Sequence, residues 1–73
     1  MMDNQAYIDR QALEPAYVQL VNILRDQIAR GLYLPNNRLP SESELCTRYQ
    51  LSPMTVRRAI NILLDQGIVS TIQ

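Results

Sequence analysis

Hydrophobic residues recur at steps of three and four positions in three segments of the chain, which is the spacing of a buried face on an α-helix. The first segment begins at Pro15 and stops before Gly31, a residue type that commonly follows the last turn of a helix. The third stops before Gly67 in the same way. The pattern predicts three helices, at about 15–30, 42–49 and 53–66, around one core. The expected core residues are Leu20, Leu24, Ile28, Leu45, Val56, Ile60 and Leu63.

The remaining segments predict an arm, a connector and a strand. Residues 1–14 are polar and lack helical periodicity, so we expect a flexible N-terminal arm ahead of one domain at 15–73. Residues 32–39 form a turn-rich connector, and residues 68–72 predict a strand. A mainly α fold of three helices followed by a strand is typical of a winged helix-turn-helix. The turn and return strand of the wing are missing, so we expect a truncated β-wing and a longer parent protein.

Two predicted helix starts lie close together in the chain. Ser41, with Glu44 three residues later, has the spacing of a capping box, in which the hydroxyl and the carboxylate each bind a backbone N–H group. Ser52 is a favourable N-cap, and Pro53 follows at the first helical position, where a missing N–H costs nothing. Few residues separate the two helices, and the second opens with polar and cationic side chains. This arrangement indicates a helix-turn-helix that binds DNA.

The composition argues against several classes of protein. The chain has 73 residues, enough for one small domain, and it contains neither histidine nor lysine. The usual general base, Schiff-base amine and commonest metal ligand are therefore absent, so we expect no enzyme, no metal site and no cofactor. The single cysteine, Cys46, cannot form an internal disulfide, which favours a reducing, cytoplasmic setting. No signal peptide or membrane span is predicted.

Charge is balanced over the whole chain but not within it. Seven arginines face seven acidic residues, which argues mildly against a nucleic-acid partner. Between residues 38 and 58, however, four arginines accompany only two glutamates, both in the predicted opening turn of one helix. Arginine makes bidentate contacts to phosphate and guanine that lysine cannot make. The local bias therefore favours a DNA-binding surface over these residues.

Several motifs in order resemble the GntR family of bacterial transcription regulators. They are Pro15-Ala16-Tyr17-Val18-Gln19-Leu20, Ile28-Ala29-Arg30-Gly31, Leu39-Pro40-Ser41-Glu42-Ser43-Glu44-Leu45, Thr55-Val56-Arg57-Arg58-Ala59-Ile60, and Leu63 with Gly67-Ile68-Val69. The resemblance covers about residues 15–72. It implies an N-terminal winged helix-turn-helix whose C-terminal effector domain is absent from this chain. The opening motif and the Thr-Val-Arg-Arg run are most similar to the branch with a chorismate-lyase-like effector domain.

The resemblance also implies partners. Such regulators bind a double-stranded DNA operator as homodimers when full length, and a small-molecule effector acts through the missing C-terminal domain. Pro53 stands where the family often has an arginine that contacts a base, so operator preference is expected to differ there. The family's wing glycine would lie beyond Gln73. No membrane partner is implied.

The candidate DNA-binding residues lie before the second predicted helix and at the start of the third. Arg57 is expected to contact a base or a phosphate, or alternatively to form a salt bridge with Glu42 or Glu44. Arg58 is expected to contact a phosphate, or to be simply solvated. The full predicted set is Arg38, Ser41, Ser52, Pro53, Met54, Thr55, Arg57 and Arg58.

The smaller candidates also have two interpretations each. Ser41, Ser52 and Thr55 are capping residues whose hydroxyls, with nearby backbone N–H groups, also suit a phosphate. Met54 could contact a thymine methyl group or merely be exposed, and Arg38 could bind the DNA backbone or solvent. For the whole chain, the alternative to DNA binding is a winged-helix module for protein–protein interaction, which the near-zero net charge favours. Only DNA binding should weaken steeply with salt.

Overall fold

The computed structural model describes residues 7–33 and 39–68, and three α-helices account for most of them. The helices are α1 (Ala16–Ala29), α2 (Glu42–Tyr49) and α3 (Pro53–Asp65). The predicted mainly α fold is confirmed, and each helix boundary agrees with the prediction to within one residue. The strand predicted at 68–72 lies outside the described residues apart from Ile68, and most of the 32–39 connector lies outside them as well.

All three helices end in the same way. A residue with positive φ follows each helix, and the next backbone N–H bonds to a carbonyl five residues earlier, as from Leu51 to Cys46 at 3.1 Å. The predicted stops Gly31 and Gly67 have φ values of 79° and 71°, which glycine adopts at little cost. After α2 this position is occupied by Gln50, with φ 56°. The turn between α2 and α3 therefore places a non-glycine residue in the left-handed region.

The core lies where α1 and α2 pack against α3. Six of the seven predicted core residues are buried, while Ile28 is only partly buried because it lies in the last turn of α1. Leu51 is also buried, at the position before the N-cap of α3 from which an apolar side chain commonly packs on the fourth helical residue, here Val56. The buried residues are Leu20, Val21, Leu24, Leu39, Leu45, Tyr49, Leu51, Val56, Ala59, Ile60 and Leu63.

Residues 7–14 of the predicted arm contact the helical body. The Gln19 side chain on α1 accepts a hydrogen bond from the Asp9 N–H at 2.7 Å and donates to the carbonyls of Asp9 (3.0 Å) and Glu14 (2.9 Å). Ile8 is half-buried against the core. The arm is thus bonded to the N-terminal part of α1 over this stretch, and the flexibility predicted for 1–14 stays a prediction.

Candidate nucleic-acid interface

The predicted helix-turn-helix is present as α2, a short turn and α3. Gln50 ends α2 in the left-handed conformation, Leu51 points into the core, and Ser52 is the N-cap of α3. The turn is therefore tight because one residue reverses the chain and the next is anchored by burial. This geometry places the start of α3 beside α2.

The start of α3 is organised by two hydroxyl groups. Ser52 Oγ accepts a hydrogen bond from the Thr55 N–H at 3.2 Å and donates to Thr55 Oγ1 at 3.0 Å. Because Thr55 Oγ1 accepts this bond, the Thr55 hydroxyl keeps its own proton as a donor. Pro53 has no N–H group, so the Met54 amide is the N–H of this first turn that remains for an anion. The capping role predicted for Ser52 is confirmed.

The start of α2 forms half of the predicted capping box. Ser41 Oγ accepts a hydrogen bond from the Glu44 N–H at 3.1 Å, as expected. The Glu44 carboxylate was expected to reach back to the Ser41 N–H group. It lies instead toward Arg48, one turn further along α2, with Glu44 Oε2 at 3.9 Å from Arg48 Nη2. The attraction of the opposite charge four residues later explains this difference.

Arg57 forms a two-point salt bridge across the two helices. Its Nη2 lies 3.0 Å from Glu42 Oε1, and its Nε donates to Oε2 at 3.3 Å. The hydrogen bond from Arg57 lowers the pKa of Glu42, and the same bond raises the pKa of Arg57. Both side chains remain largely exposed, at 59% and 41%. The salt-bridge alternative is confirmed for Glu42, and DNA contact by Arg57 stays a prediction.

Arg58 stacks on an aromatic ring. Its guanidinium carbon lies 4.1 Å from the centre of the Tyr17 ring on α1, and its Nη2 donates to the Tyr17 hydroxyl at 3.4 Å. Arg58 is therefore exposed to solvent and also contacts Tyr17, and its contact with a phosphate stays a prediction. Tyr17 and Arg58 are 41 positions apart and no sequence pattern links them, so this role of Tyr17 was not predicted. Stacking limits the directions in which the guanidinium group can point.

The remaining candidates divide into three groups. Pro53 and Met54 are exposed at the tip of α3, with Met54 at 77% exposure, and Ser41 is exposed at the tip of α2. Arg38 lies outside the described residues. An open groove of about 310 Å³ follows the outer face of α3, lined by Met54, Arg57, Arg58, Asn61, Ile62 and Asp65. Its acidic residue, Asp65, is at the C-terminal end, so the groove is most basic near the start of α3.

Other kinds of site are not supported within residues 7–33 and 39–68. No group of three or more histidine, cysteine or acidic side chains there is arranged to hold a metal ion. Cys46 is a half-buried free thiol. None of the described helices is long and apolar enough to cross a membrane. Of the candidates that the structure describes, Pro53, Met54, Arg57 and Arg58 are exposed on α3, whereas Ser41 lies at the start of α2.

Comparisons with known proteins agree with this geometry. Residues 16–73 match the family model described as "Bacterial regulatory proteins, gntR family". The HTH-type transcriptional regulator YurK of Bacillus subtilis is 49% identical over 53 residues, which are 73% of this chain and 22% of that protein. The mannosyl-D-glycerate transport/metabolism system repressor MngR of Escherichia coli is 43% identical over 60 residues, which are 82% of this chain and 25% of that protein. The chain spans about a quarter of the length of these relatives.

A solved structure gives the same result for the fold. The GntR-family transcription factor YtrA of Sulfolobus acidocaldarius superposes with a TM-score of 0.75 at 35% identity, covering 82% of this chain and 64% of the YtrA chain. The three helices therefore have the arrangement of a GntR-family winged helix domain. Together with the family match over residues 16–73, this shows that the chain belongs to the GntR family of bacterial transcription regulators, as part of its helix-turn-helix DNA-binding domain.

Proposed function

We propose that this domain binds DNA sequence-specifically by inserting α3 into the major groove, within a regulator that responds to a small molecule. The observation that supports this most is the division of α3 into two faces. Its apolar face is buried against α1 and α2, whereas Met54, Arg57 and Arg58 are exposed on its outer N-terminal part. A helix anchored on one side and basic on the other fits the major groove.

Each candidate residue has a proposed role that follows from its position. Arg57 lies in the second turn of α3 and contacts a base edge, where its planar guanidinium suits guanine. Arg58, oriented by Tyr17, contacts a phosphate. Met54 and Pro53 make apolar contacts, Met54 with a thymine methyl group. The phosphate-binding set is completed by Arg38 and by the hydroxyls of Ser41 and Thr55, with Ser52 contributing through the Thr55 hydroxyl that it holds in place.

The salt bridge between Arg57 and Glu42 does not oppose this proposal. The pair is exposed, so its attraction in water is modest and screened by salt. Glu42 uses both oxygens on one arginine and thereby holds the Arg57 side chain in place along the outer face of α3. The guanidinium group retains donors beyond those that Glu42 uses, because arginine has five. Arg57 is therefore positioned before DNA arrives.

The relatives support a wider proposal for the intact protein. MngR is named a repressor of a transport and metabolism system, and a further relative from Escherichia coli, 38% identical over 61 residues, is named a probable fructoselysine utilization operon transcriptional repressor. We infer that the intact protein is a cytoplasmic repressor whose additional domain binds a small-molecule effector and forms a homodimer. A dimer would hold two copies of α3 about one DNA turn apart on a palindromic site.

Selection of duplexes from a random library with the intact protein tests the proposal. We expect enrichment of a palindromic site, and we expect affinity for that site to fall steeply as salt rises, because bound counterions are released from DNA. A random duplex of equal length is the control and should bind more weakly with a similar dependence on salt. No enrichment, together with salt-independent capture of a protein partner, would instead support the protein-interaction alternative.

A further inference from the structure

Residues 9–14 of the N-terminal arm contact both α1 and the end of α2, two helices whose backbones do not approach each other closely. α1 and α2 both pack against α3, but no Cα atom of α1 lies within 8 Å of one in α2. The arm is bonded to α1 through Gln19, which holds Asp9 and Glu14. From there Arg10 reaches the far end of α2, where its Nη2 donates to the carbonyls of Gln50 at 2.7 Å and Tyr49 at 3.3 Å.

These two carbonyls lie at the turn of the helix-turn-helix. The last carbonyls of an α-helix have no partner within the helix, and the C-terminal end of a helix attracts a cation. Arg10 satisfies both requirements at the end of α2. It does so where Gln50 adopts a left-handed conformation, which is unfavourable for a residue other than glycine. The Arg10 contacts therefore stabilise the backbone geometry from which α3 starts.

We propose that Arg10 is a positioning residue for DNA recognition, which fixes the α2–α3 turn and hence the angle at which α3 is presented. The proposal rests on the proposed DNA-binding function and extends it to a residue outside the helix-turn-helix. Arg10 acts through the carbonyls of Tyr49 and Gln50, not by contacting DNA. Loss of the Arg10 side chain leaves the exposed groups of α3 in place but lets the backbone of the α2–α3 turn vary. Binding to the preferred DNA sequence, which depends on the alignment of α3, should then weaken more than binding to a random sequence.

The substitution Arg10→Ala in the intact protein tests this role. We expect affinity for the selected duplex to fall about three- to tenfold, affinity for a random duplex to stay within twofold, and the slope of affinity against salt to stay unchanged. A direct phosphate contact would instead lower the slope by about one and weaken both duplexes alike. The control Arg25→Ala removes the same charge from the exposed side of α1 and should change neither affinity.

A second substitution tests whether the turn is the route of the effect. Glycine adopts the left-handed conformation readily, so Gln50→Gly should stabilise the turn without help from Arg10. In the Arg10→Ala background, Gln50→Gly should restore more than half of the lost preference for the selected duplex. A structural role limited to stability would give a lower melting temperature with the ratio of the two affinities unchanged. Arg10→Lys keeps the charge but not the planar donors, so its ratio of affinities for the selected and the random duplex should lie between those of wild type and Arg10→Ala. It replaces Arg10→Ala in the test if that variant does not fold.

The outcomes separate this inference from the proposed function. If the wild-type protein does not distinguish the selected duplex from a random one, the proposed function fails. If it does and Arg10→Ala retains the wild-type ratio of affinities, the positioning role is refuted while the DNA-binding function stands. A lower salt slope in Arg10→Ala, or a double variant no better than Arg10→Ala alone, also overturns the positioning role.

Discussion

The two faces of α3 are built by different physical means. On the inner face, Val56, Ala59 and Leu63 have no exposed surface, and the surrounding residues of α1 and α2 are also apolar. On the outer face, Arg57 and Arg58 are exposed, and each is held by one polar or aromatic partner from another element. The inner face is stabilised by the removal of apolar area from water, and the outer face by directional contacts that salt weakens. One helix thus combines a rigid anchor with an orderly but accessible basic surface.

The comparison shows why stability and DNA binding can be changed separately in this domain. Burial energy depends on volume and close packing, so a change on the inner face affects the whole fold. A contact on the outer face is shared with water and is worth little to folding. Substitutions on the inner face should therefore change unfolding, whereas those on the outer face should change DNA affinity with little effect on the melting temperature.

The largest expected effect is on the inner face. Leu63 is fully buried in α3, and Leu63→Ala should reduce the free energy of unfolding by about 2–5 kcal/mol through lost burial and the cavity that remains. A domain of this size is only marginally stable, so partial unfolding of Leu63→Ala at room temperature would also agree with the prediction. Urea denaturation followed by circular dichroism measures the change.

Two further variants complete that measurement. Ile60→Val removes one methylene group from the same face and should cost about 0.5–1.5 kcal/mol while the domain stays folded. Met54→Ala on the outer face, where the side chain is 77% exposed, should change the free energy of unfolding by less than about 0.5 kcal/mol. Equal effects for Leu63→Ala and Met54→Ala would contradict the division of α3 into an anchor and a free surface.

The same division determines what the sequence predicts. Residues such as Leu45 and Leu63 are recognisable because burial follows the helical repeat, and the caps at Ser41 and Ser52 follow from local spacing. The partner of Arg58 is Tyr17, 41 residues away, and no periodicity links them. Arg57 had two acids within reach, and only packing of α2 on α3 selects Glu42. Long-range pairs depend on the angle between helices, which a single sequence does not specify.

The next largest effect concerns the outer face. Arg57→Ala in the intact protein should weaken binding to the selected duplex by about tenfold or more and reduce the preference at one base pair, because a base-edge contact is lost. Fluorescence anisotropy with the selected duplex and with its single-base variants measures both effects. The melting temperature should change little, since the Glu42 salt bridge is exposed. Unchanged affinity would remove Arg57 from the interface.

Arg58 should behave differently from its neighbour. Arg58→Ala should weaken all duplexes to a similar extent and lower the salt slope by about one, because a phosphate contact is the same for every sequence. Tyr17→Leu leaves the charge of Arg58 in place but removes the ring on which it stacks, so it should weaken binding less than Arg58→Ala and leave the slope unchanged. Sequence-dependent losses in Arg58→Ala would show that Arg58 contacts a base instead.

The smallest expected effect is that of the substitution Glu42→Gln, which removes the salt bridge to Arg57 and should change both stability and DNA binding slightly. Because Arg57 lowers the pKa of Glu42, their salt bridge stabilises the fold above the ordinary glutamate pKa of 4.5 and ceases to do so as the pH falls through the lowered value. The melting temperature of wild type should therefore slightly exceed that of Glu42→Gln at pH 7, and the difference should vanish in acid.

At neutral pH the substitution Glu42→Gln also removes a negative charge beside the DNA and releases Arg57. Affinity for random duplexes should then rise by up to about threefold. The ratio of the affinities for the selected and the random duplex should therefore fall. A rise in this ratio would show that Glu42 holds Arg57 in a position unsuited to DNA, which would contradict the proposal that the salt bridge positions Arg57 for binding.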